Sequence, residues 1–347
     1  MTGAGDRERA DARGPGSAVS GTGIADPGGP TTPDHVSDGA AGSVAEVAIE
    51  ASFPVKDPID LRLILSPLRH GPNDGTIHFG RDGAWLARRT AAGPATLRLW
   101  TAPGEEAVHA QAWGPGAGLA LEAVPGLAGL LDDPTPLEPR HRLVRELQRR
   151  FQGLRLPRTG QLLPALIPAV IEQKVTAGEA SAAYAALIRR LGQPAPGPIE
   201  LSLPPAGASL AALPYFEFHP MGLERRRAEV LREVGRLESK IESWVALLPE
   251  EARSRLQGIP GIGPWTAAEA SRAAFGDPDA VSIGDAHLPD LVAWALAGEP
   301  RGDDARMLDL LAPYEGQRGR VVRLLEVSGI KIPRFGPRFA PGHIERL

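Results

Sequence analysis

The segment LQGIPGIGPWTA, from Leu256 to Ala267, constrains this chain more than any other stretch of its sequence. It lies between two helical patterns, so it is not the strand-to-helix turn of a Rossmann fold, and it lacks the Lys-Ser/Thr pair of a P-loop. Its glycines allow a tight turn between two helices, and free N–H groups at the start of the second helix can then bind a phosphate. Such a contact positions a nucleic acid without reading its sequence. The alternative is an ordinary Gly-Pro link between helices.

The composition excludes several classes of protein. The chain has 347 residues, of which 42% are hydrophobic, so it can bury a core and is long enough for about two domains. It contains no cysteine, which excludes disulfides, thiolate zinc sites and iron–sulfur clusters. No run approaches the roughly 18 apolar residues of a membrane span, and the first residues lack a signal-peptide pattern. We therefore expect a cytoplasmic, nucleoid-associated protein without a membrane partner.

The charge pattern leaves two interpretations open. The net charge of −4 is unusual for a protein that binds nucleic acid. Residues 137–160, however, carry seven arginines against two glutamates. This basic stretch either faces phosphates or is a solvated helix surface.

The first third of the chain predicts a tail and a small α+β domain. Residues 1–45 are rich in Gly, Pro, Ser, Thr and Asp, which predicts a disordered tail. Residues 46–136 contain five runs that alternate apolar and polar residues, separated by turn signals, and a helical pattern between the first two runs. We expect five antiparallel strands and one helix. The strand patterns are VAEVAIEASF, TIHFG, AWLARR, ATLRLW and AVHAQAW.

The rest of the chain predicts a helical domain over residues 137–330, followed by a basic C-terminal tail over 331–347. Thr176 and Glu179 form a capping-box pattern that predicts a helix start. The fold class is therefore α+β overall and mainly α after residue 136. The helical patterns cover 138–151, 163–173, 177–191, 222–244, 249–257, 264–275, 286–297, 304–312 and 317–328.

Two motifs with compatible spacing resemble one known family. IPGIGPWTA resembles the hairpin of the helix-hairpin-helix DNA glycosylase superfamily, and GDPDAVSIGD resembles the stretch that ends at the catalytic aspartate of AlkA-like 3-methyladenine DNA glycosylase II. The resemblance extends over about 137–330, and it implies that the preceding α+β domain is TATA-binding-protein-like. The DNA contacts that it implies lie at Gly258, Gly261, Ile262, Gly263 and Thr266 of the hairpin.

The resemblance implies that Asp285 is catalytic. A carboxylate beneath the deoxyribose stabilises the oxocarbenium charge that develops as the N-glycosidic bond breaks, and it orients water. The alternative is that Asp285 caps the helical pattern that follows. Bifunctional members resemble this hairpin but carry a nucleophilic lysine where this chain has Trp265, and tryptophan cannot form a Schiff base. Hydrolysis without strand cleavage is implied, and Trp265 either stacks on the extruded base or packs on the hairpin.

Other positions complete the expected site. Gln173, Lys174 and Thr176 lie where relatives have a Gln-containing turn that fills the gap left by the flipped nucleotide, so we place Gln173 in the base pocket and the other two against DNA. AlkA-like enzymes have aromatic residues where this chain has Glu269 and Ala286. Their absence makes the pocket less aromatic, although Glu269 itself favours a cationic base.

The sequence thus predicts a monomeric, monofunctional glycosylase that removes alkylated purines from damaged double-stranded DNA without a cofactor or metal. Lone histidines at His219 and His287 have no partner at ligand spacing, which favours structural roles. The alternatives are a glycosylase for oxidised or deaminated bases and a protein that binds damaged DNA without cutting it.

Overall fold

The computed structural model describes residues 48–332. The predicted tail at 1–45 lies outside this range, as does the predicted basic C-terminal tail beyond Ile332. Within the described residues, one small antiparallel sheet precedes a series of helices, which confirms the α+β prediction. None of the helices in this range is long and apolar enough to cross a membrane.

The N-terminal part of the fold is a five-stranded antiparallel sheet, as predicted. The strands are β1 (Ile49–Pro54), β2 (Ile77–Phe79), β3 (Ala84–Thr90), β4 (Gly93–Thr101) and β5 (Ala107–Trp113). They pair in the order β1-β5-β4-β3-β2. The predicted helix between the first two strands is α1 (Leu61–Leu65), and a 3₁₀ turn, Ser66–Leu68, extends it. It begins after Asp60, whose side chain accepts the Leu63 N–H at 2.9 Å.

Helices cover one face of this sheet. Two short helices that the sequence analysis did not predict, α2 (Ala117–Glu122) and α3 (Val124–Leu127), follow β5. Together with α1 they bury alternate strand residues such as Leu97 and Leu99 in one apolar cluster. The period of two along each strand places these side chains on the helix-covered face.

The helical part matches the predicted segments closely. The long pattern at 222–244 is divided at Leu237 into two helices, and one helix before it, Gly207–Ala212, was not predicted. A short ladder, β6 (Gln193–Pro194) with β7 (Ser202–Leu203), lies between the helices Ala177–Leu191 and Gly207–Ala212. The helices are α4 (Arg142–Arg150), α5 (Leu163–Ile171), α6 (Ala177–Leu191), α7 (Gly207–Ala212), α8 (Arg225–Arg236), α9 (Glu238–Ser243), α10 (Pro249–Gln257), α11 (Pro264–Phe275), α12 (Leu288–Ala297), α13 (Asp304–Leu311) and α14 (Arg318–Val327).

The helical part has two apolar cores instead of one. Residues between Leu162 and Phe275 form the first core. Residues between Leu137 and Leu154 join those between Leu288 and Leu325 in the second. Helix α4 therefore packs with the last helices of the chain.

Candidate functional site

The turn between α10 and α11 is a tight hairpin anchored in the first core. Ile259 and Ile262 are both buried there, and the Ile262 N–H donates to the Ile259 carbonyl at 3.0 Å. Gly261 has a φ of +92°, and a Cβ at this position would lie 2.3 Å from Val230 Cγ2. Glycine is therefore required at Gly261 by both its backbone conformation and the space around it.

The start of α11 is open to a ligand. Gly263 precedes the helix in an extended conformation, and no side chain caps the helix there. Pro264 has no N–H, while the N–H groups of Trp265 and Thr266 lie in the first turn, where a helix supplies no acceptor. A Cβ on Gly263 would meet no atom within 4 Å. This combination suits a phosphate oxygen.

Not every predicted hairpin contact is available to DNA. The side chain of Ile262 is 4% exposed and that of Thr266 is 2% exposed. Both belong to the interior, so any contact that these residues make with DNA is limited to backbone atoms. Gly258 ends α10 with helical backbone angles.

Asp285 is held by three N–H donors. Its Oδ2 accepts the indole Nε1–H of Trp265 at 2.9 Å. Its Oδ1 accepts the backbone N–H groups of His287 and Leu288, each at 2.8 Å, immediately before and at the start of α12. The capping role and the position expected of the catalytic carboxylate thus coincide in one side chain. Since Trp265 follows Gly263 by two residues, the carboxylate lies next to the hairpin.

A cleft of about 360 Å³ opens beside this pair. It contains three of the predicted site residues, Trp265, Glu269 and Asp285. The predicted pocket residue Gln173 does not line it; the preceding residue, Glu172, does. The lining side chains are those of Glu172, Trp265, Glu269, Arg272, Ser282, Asp285, His287, Leu288, Leu291, Glu326, Ile330 and Ile332.

The turn between α5 and α6 braces the hairpin. The Gln173 side-chain amide donates to the Gly261 carbonyl at 3.0 Å and to Thr266 Oγ1 at 2.9 Å. Its Nε2 donors are therefore hydrogen-bonded within the protein. Lys174 is exposed and has a φ of +57°, the only positive φ of a non-glycine residue within 48–332. Backbone strain of this kind concentrates at functional sites. Thr176 caps α6 in the predicted capping box.

Glu269, Arg272 and Glu326 form an ion-pair network in the lining of the cleft, of which only Glu269 was predicted as a site residue. Arg272 donates to Glu269 at 3.0 Å and to both oxygens of Glu326 at 2.9 and 2.7 Å. Burial acts to lower the pKa of the Arg272 guanidinium, but the two glutamates outweigh it and raise that pKa above its usual value. Burial alone would raise the pKa of the Glu326 carboxyl, but Arg272 and Arg323 outweigh this effect. The pKa of Glu326 is therefore lower than its usual value. Only the Glu269-x-x-Arg272 spacing signalled a pair in the sequence.

Among residues 48–332, no group of three or more His, Asp or Glu side chains is arranged to hold a metal ion. His219 lies in the 3₁₀ segment Tyr215–Met221, and His287 borders the cleft.

Comparison with solved structures identifies the fold. A 3-methyladenine DNA glycosylase from Archaeoglobus fulgidus is similar over 80% of this chain and 97% of its own, with a TM-score of 0.65 and 17% identity. The chain has the helix-hairpin-helix DNA glycosylase fold. An 8-oxoguanine glycosylase/lyase from Clostridium acetobutylicum is similar in its apo form, with a TM-score of 0.62, 12% identity and coverage of 81% and 98% of the two chains. The same enzyme bound to double-stranded DNA with cytosine opposite 8-oxoguanine gives a TM-score of 0.61 at 14% identity, with 79% and 96% covered.

The glycosylase fold is thus found at low sequence identity. No protein-family profile matches the chain, and no curated protein sequence matches it. The likeness covers the α+β part as well as the helices, because it extends over 80% and 81% of this chain, which is more than residues 137–330 alone.

Proposed function

We propose that this protein is a monofunctional DNA N-glycosylase, which extrudes a damaged base from double-stranded DNA and hydrolyses its glycosidic bond to leave an abasic site. The observation that carries the proposal is the Trp265–Asp285 hydrogen bond of 2.9 Å, beside both the hairpin and the cleft. The hairpin would hold a phosphate at the open start of α11. Asp285 would then stabilise the positive charge that develops on the sugar and orient the attacking water.

Alkylated purines are the substrate class that the cleft supports best. Its lining includes four carboxylates, those of Glu172, Glu269, Asp285 and Glu326, against one guanidinium, that of Arg272. A purine alkylated at N3 or N7 carries a positive charge, which such a lining attracts. The similarity to the Archaeoglobus fulgidus 3-methyladenine DNA glycosylase agrees with this class.

The proposal excludes strand cleavage through a Schiff base. Trp265 occupies the hairpin position where the resemblance places a lysine in bifunctional enzymes. Within the described part of the chain no lysine lines the cleft, although the two neighbours of Lys331, Ile330 and Ile332, do. Borohydride should therefore trap no covalent adduct between the protein and abasic DNA, and adduct formation would refute the monofunctional assignment.

A panel of duplexes, each with one lesion, tests the proposed function. The panel contains 7-methylguanine, 3-methyladenine, hypoxanthine and 8-oxoguanine, and alkali with heat reveals abasic sites. We expect cleavage only after alkali treatment, and most strongly at the alkylated purines. Release of 8-oxoguanine or hypoxanthine alone would move the substrate class to oxidised or deaminated bases. Lesion binding without release from any duplex would favour a damage-binding protein.

A further inference from the structure

Glu269 is held in the cleft with one carboxylate oxygen available. It lies one helical turn after Trp265 on α11 and is 26% exposed. Its Oε1 accepts hydrogen bonds from Ser282 Oγ and from Arg272 Nη1. Among residues 48–332, no group donates to Oε2. The side chain is therefore fixed in position, and its second oxygen can accept a hydrogen bond from a ligand.

The charges around Glu269 leave the cleft negative. Arg272 divides its guanidinium between Glu269 and Glu326. Arg323 contacts Glu326 only at 3.4 Å and is directed to two groups of the N-terminal domain, the Leu63 carbonyl and Ser66 Oγ. Glu172 and Asp285 add two further carboxylates to the lining. Within the described part of the chain Arg272 is the only arginine or lysine in this lining, and His70 contacts Glu172 with 3.3 Å between Nδ1 and Oε1.

We infer that Glu269 selects positively charged bases over neutral bases of the same shape, by placing its carboxylate against the extruded base. This inference rests on the glycosylase function proposed above. Trp265 is the only indole, phenol or phenyl ring among the described residues that line the cleft, so stacking on several rings is not available there. Charge attraction and a hydrogen bond to an exocyclic amino group take its place.

This role has a kinetic consequence. An N3- or N7-alkylated purine is cationic while bound, but it becomes neutral as the glycosidic bond breaks and the positive charge moves to the sugar. A carboxylate against the base therefore stabilises the bound lesion at least as much as the transition state. Glu269 thus lowers KM without raising kcat, whereas Asp285 acts on kcat.

A pair of matched duplexes tests the selection without requiring catalysis. One contains 2′-fluoro-7-methylguanosine, whose base is cationic and whose glycosidic bond resists cleavage, and the other contains the neutral isostere 7-deaza-7-methylguanine with the same 2′-fluoro sugar. We expect the wild-type protein to bind the cationic lesion roughly tenfold more tightly, the scale of one charge-assisted hydrogen bond. Glu269→Gln, which keeps the shape and the Oε1 acceptor, should remove most of this preference.

Two further variants act as controls. Glu251→Gln removes the same charge from α10, where Glu251 pairs with Arg255 outside the cleft, and should keep the preference. Glu269→Asp keeps the charge and should keep part of the preference. Each preference is the ratio of the affinities for the two duplexes, measured on one preparation. A smaller folded fraction changes both affinities by the same factor and leaves their ratio unchanged. If Glu269→Gln does not fold, Glu269→Asp replaces it in the test, because its shorter side chain moves the carboxylate away from the base and should give a preference below that of the wild type.

The outcomes separate this inference from the proposed function. Equal wild-type affinity for the two duplexes, or an unchanged preference in Glu269→Gln, would overturn the role of Glu269. In single-turnover excision of 7-methylguanine, a roughly tenfold higher half-saturating concentration with an unchanged maximal rate supports it, and a fall in maximal rate alone refutes it. If the wild type binds with the expected preference but releases no base, the proposed catalysis fails while the selection stands.

Discussion

The carboxylate of Asp285 has two structural duties before any chemistry begins. One oxygen receives two backbone N–H groups before and at the start of α12, and the other receives the Trp265 indole. These bonds fix both the position and the rotation of the carboxylate. Electrostatic catalysis depends on such preorganisation, since groups that are already oriented need no rearrangement as charge develops.

Trp265→Phe tests the positioning role of the indole N–H. An aromatic ring is retained, although a smaller one, but Asp285 Oδ2 loses its side-chain donor. We expect base release to slow by about tenfold to a hundredfold, the scale of a misplaced reacting group, while lesion affinity changes little. Single-turnover excision and duplex binding measure the two effects. Trp100→Phe on β4 is the control and should excise at the wild-type rate; an unchanged rate in Trp265→Phe would show that the indole does not position the carboxylate.

At the same scale, the sequence identified only part of the site. Asp285 and Trp265 were predicted from two motifs and Glu269 from the family resemblance, and the structure brings all three to one cleft. Glu326 and Glu172 could not be predicted, because they come from α14 and from the end of α5, and only the folded chain brings these elements to α11. Gln173, which was predicted for the base pocket, does not line this cleft, and its amide is bonded to the hairpin instead.

At the scale of elements, helix boundaries follow local residue chemistry. The predicted bounds of α10 and α11 agree with the structure because Pro249 and Pro264 start the helices and Gly258 and Gly276 follow their last residues. Helices α2, α3 and α7 have only four to six residues, and too few turns for a periodic pattern to form. Their stability depends on packing, which the local sequence does not encode.

Replacing the two hairpin glycines, Gly261 and Gly263, should affect different properties, namely stability at Gly261 and DNA binding at Gly263. Gly263→Leu places a side chain where no protein atom lies within 4 Å, so the protein should fold normally but bind duplexes of every sequence more weakly. Gly261→Leu meets a positive φ and the Val230 side chain, so it should lower the melting temperature. Thermal melting measures the change in stability, and binding to two duplexes of unrelated sequence measures the change in affinity. If a folded Gly263→Leu variant binds DNA with wild-type affinity, the start of α11 does not contact a phosphate. A loss of affinity for only one of the two duplexes would contradict this contact as well.

At the level of the whole molecule, apolar clusters are joined by contacts between residues far apart in the chain. Arg320 on α14 forms a buried ion pair with Asp132, which follows α3 and lies 188 positions earlier. Asp132 also accepts the Leu156 N–H at 3.0 Å. The sequence did not indicate this pairing, because two residues so far apart in the chain leave no local pattern.

Breaking this pair should destabilise the fold. Asp132→Asn leaves the Arg320 guanidinium buried without its counter-charge, so we expect the free energy of unfolding to fall by about 3 kcal/mol or more. Denaturant titration measures it. Glu138→Gln, which breaks an exposed pair with Arg140, should change the same quantity by less than about 1 kcal/mol. Equal effects of the two substitutions would show that the Asp132–Arg320 pair does not join the clusters.

The most direct test of the catalytic role of Asp285 is the substitution Asp285→Asn. Thermal melting, binding to a lesion duplex and alkali-revealed excision are measured on one preparation. Asparagine keeps the size and the Oδ1 acceptor for the start of α12 but removes the charge. We predict a folded protein that binds damaged DNA at least as tightly as the wild type and releases the base slower by about two orders of magnitude or more. Excision at the wild-type rate would contradict the catalytic role of Asp285, and a variant that does not fold would show that Asp285 serves chiefly as a helix cap.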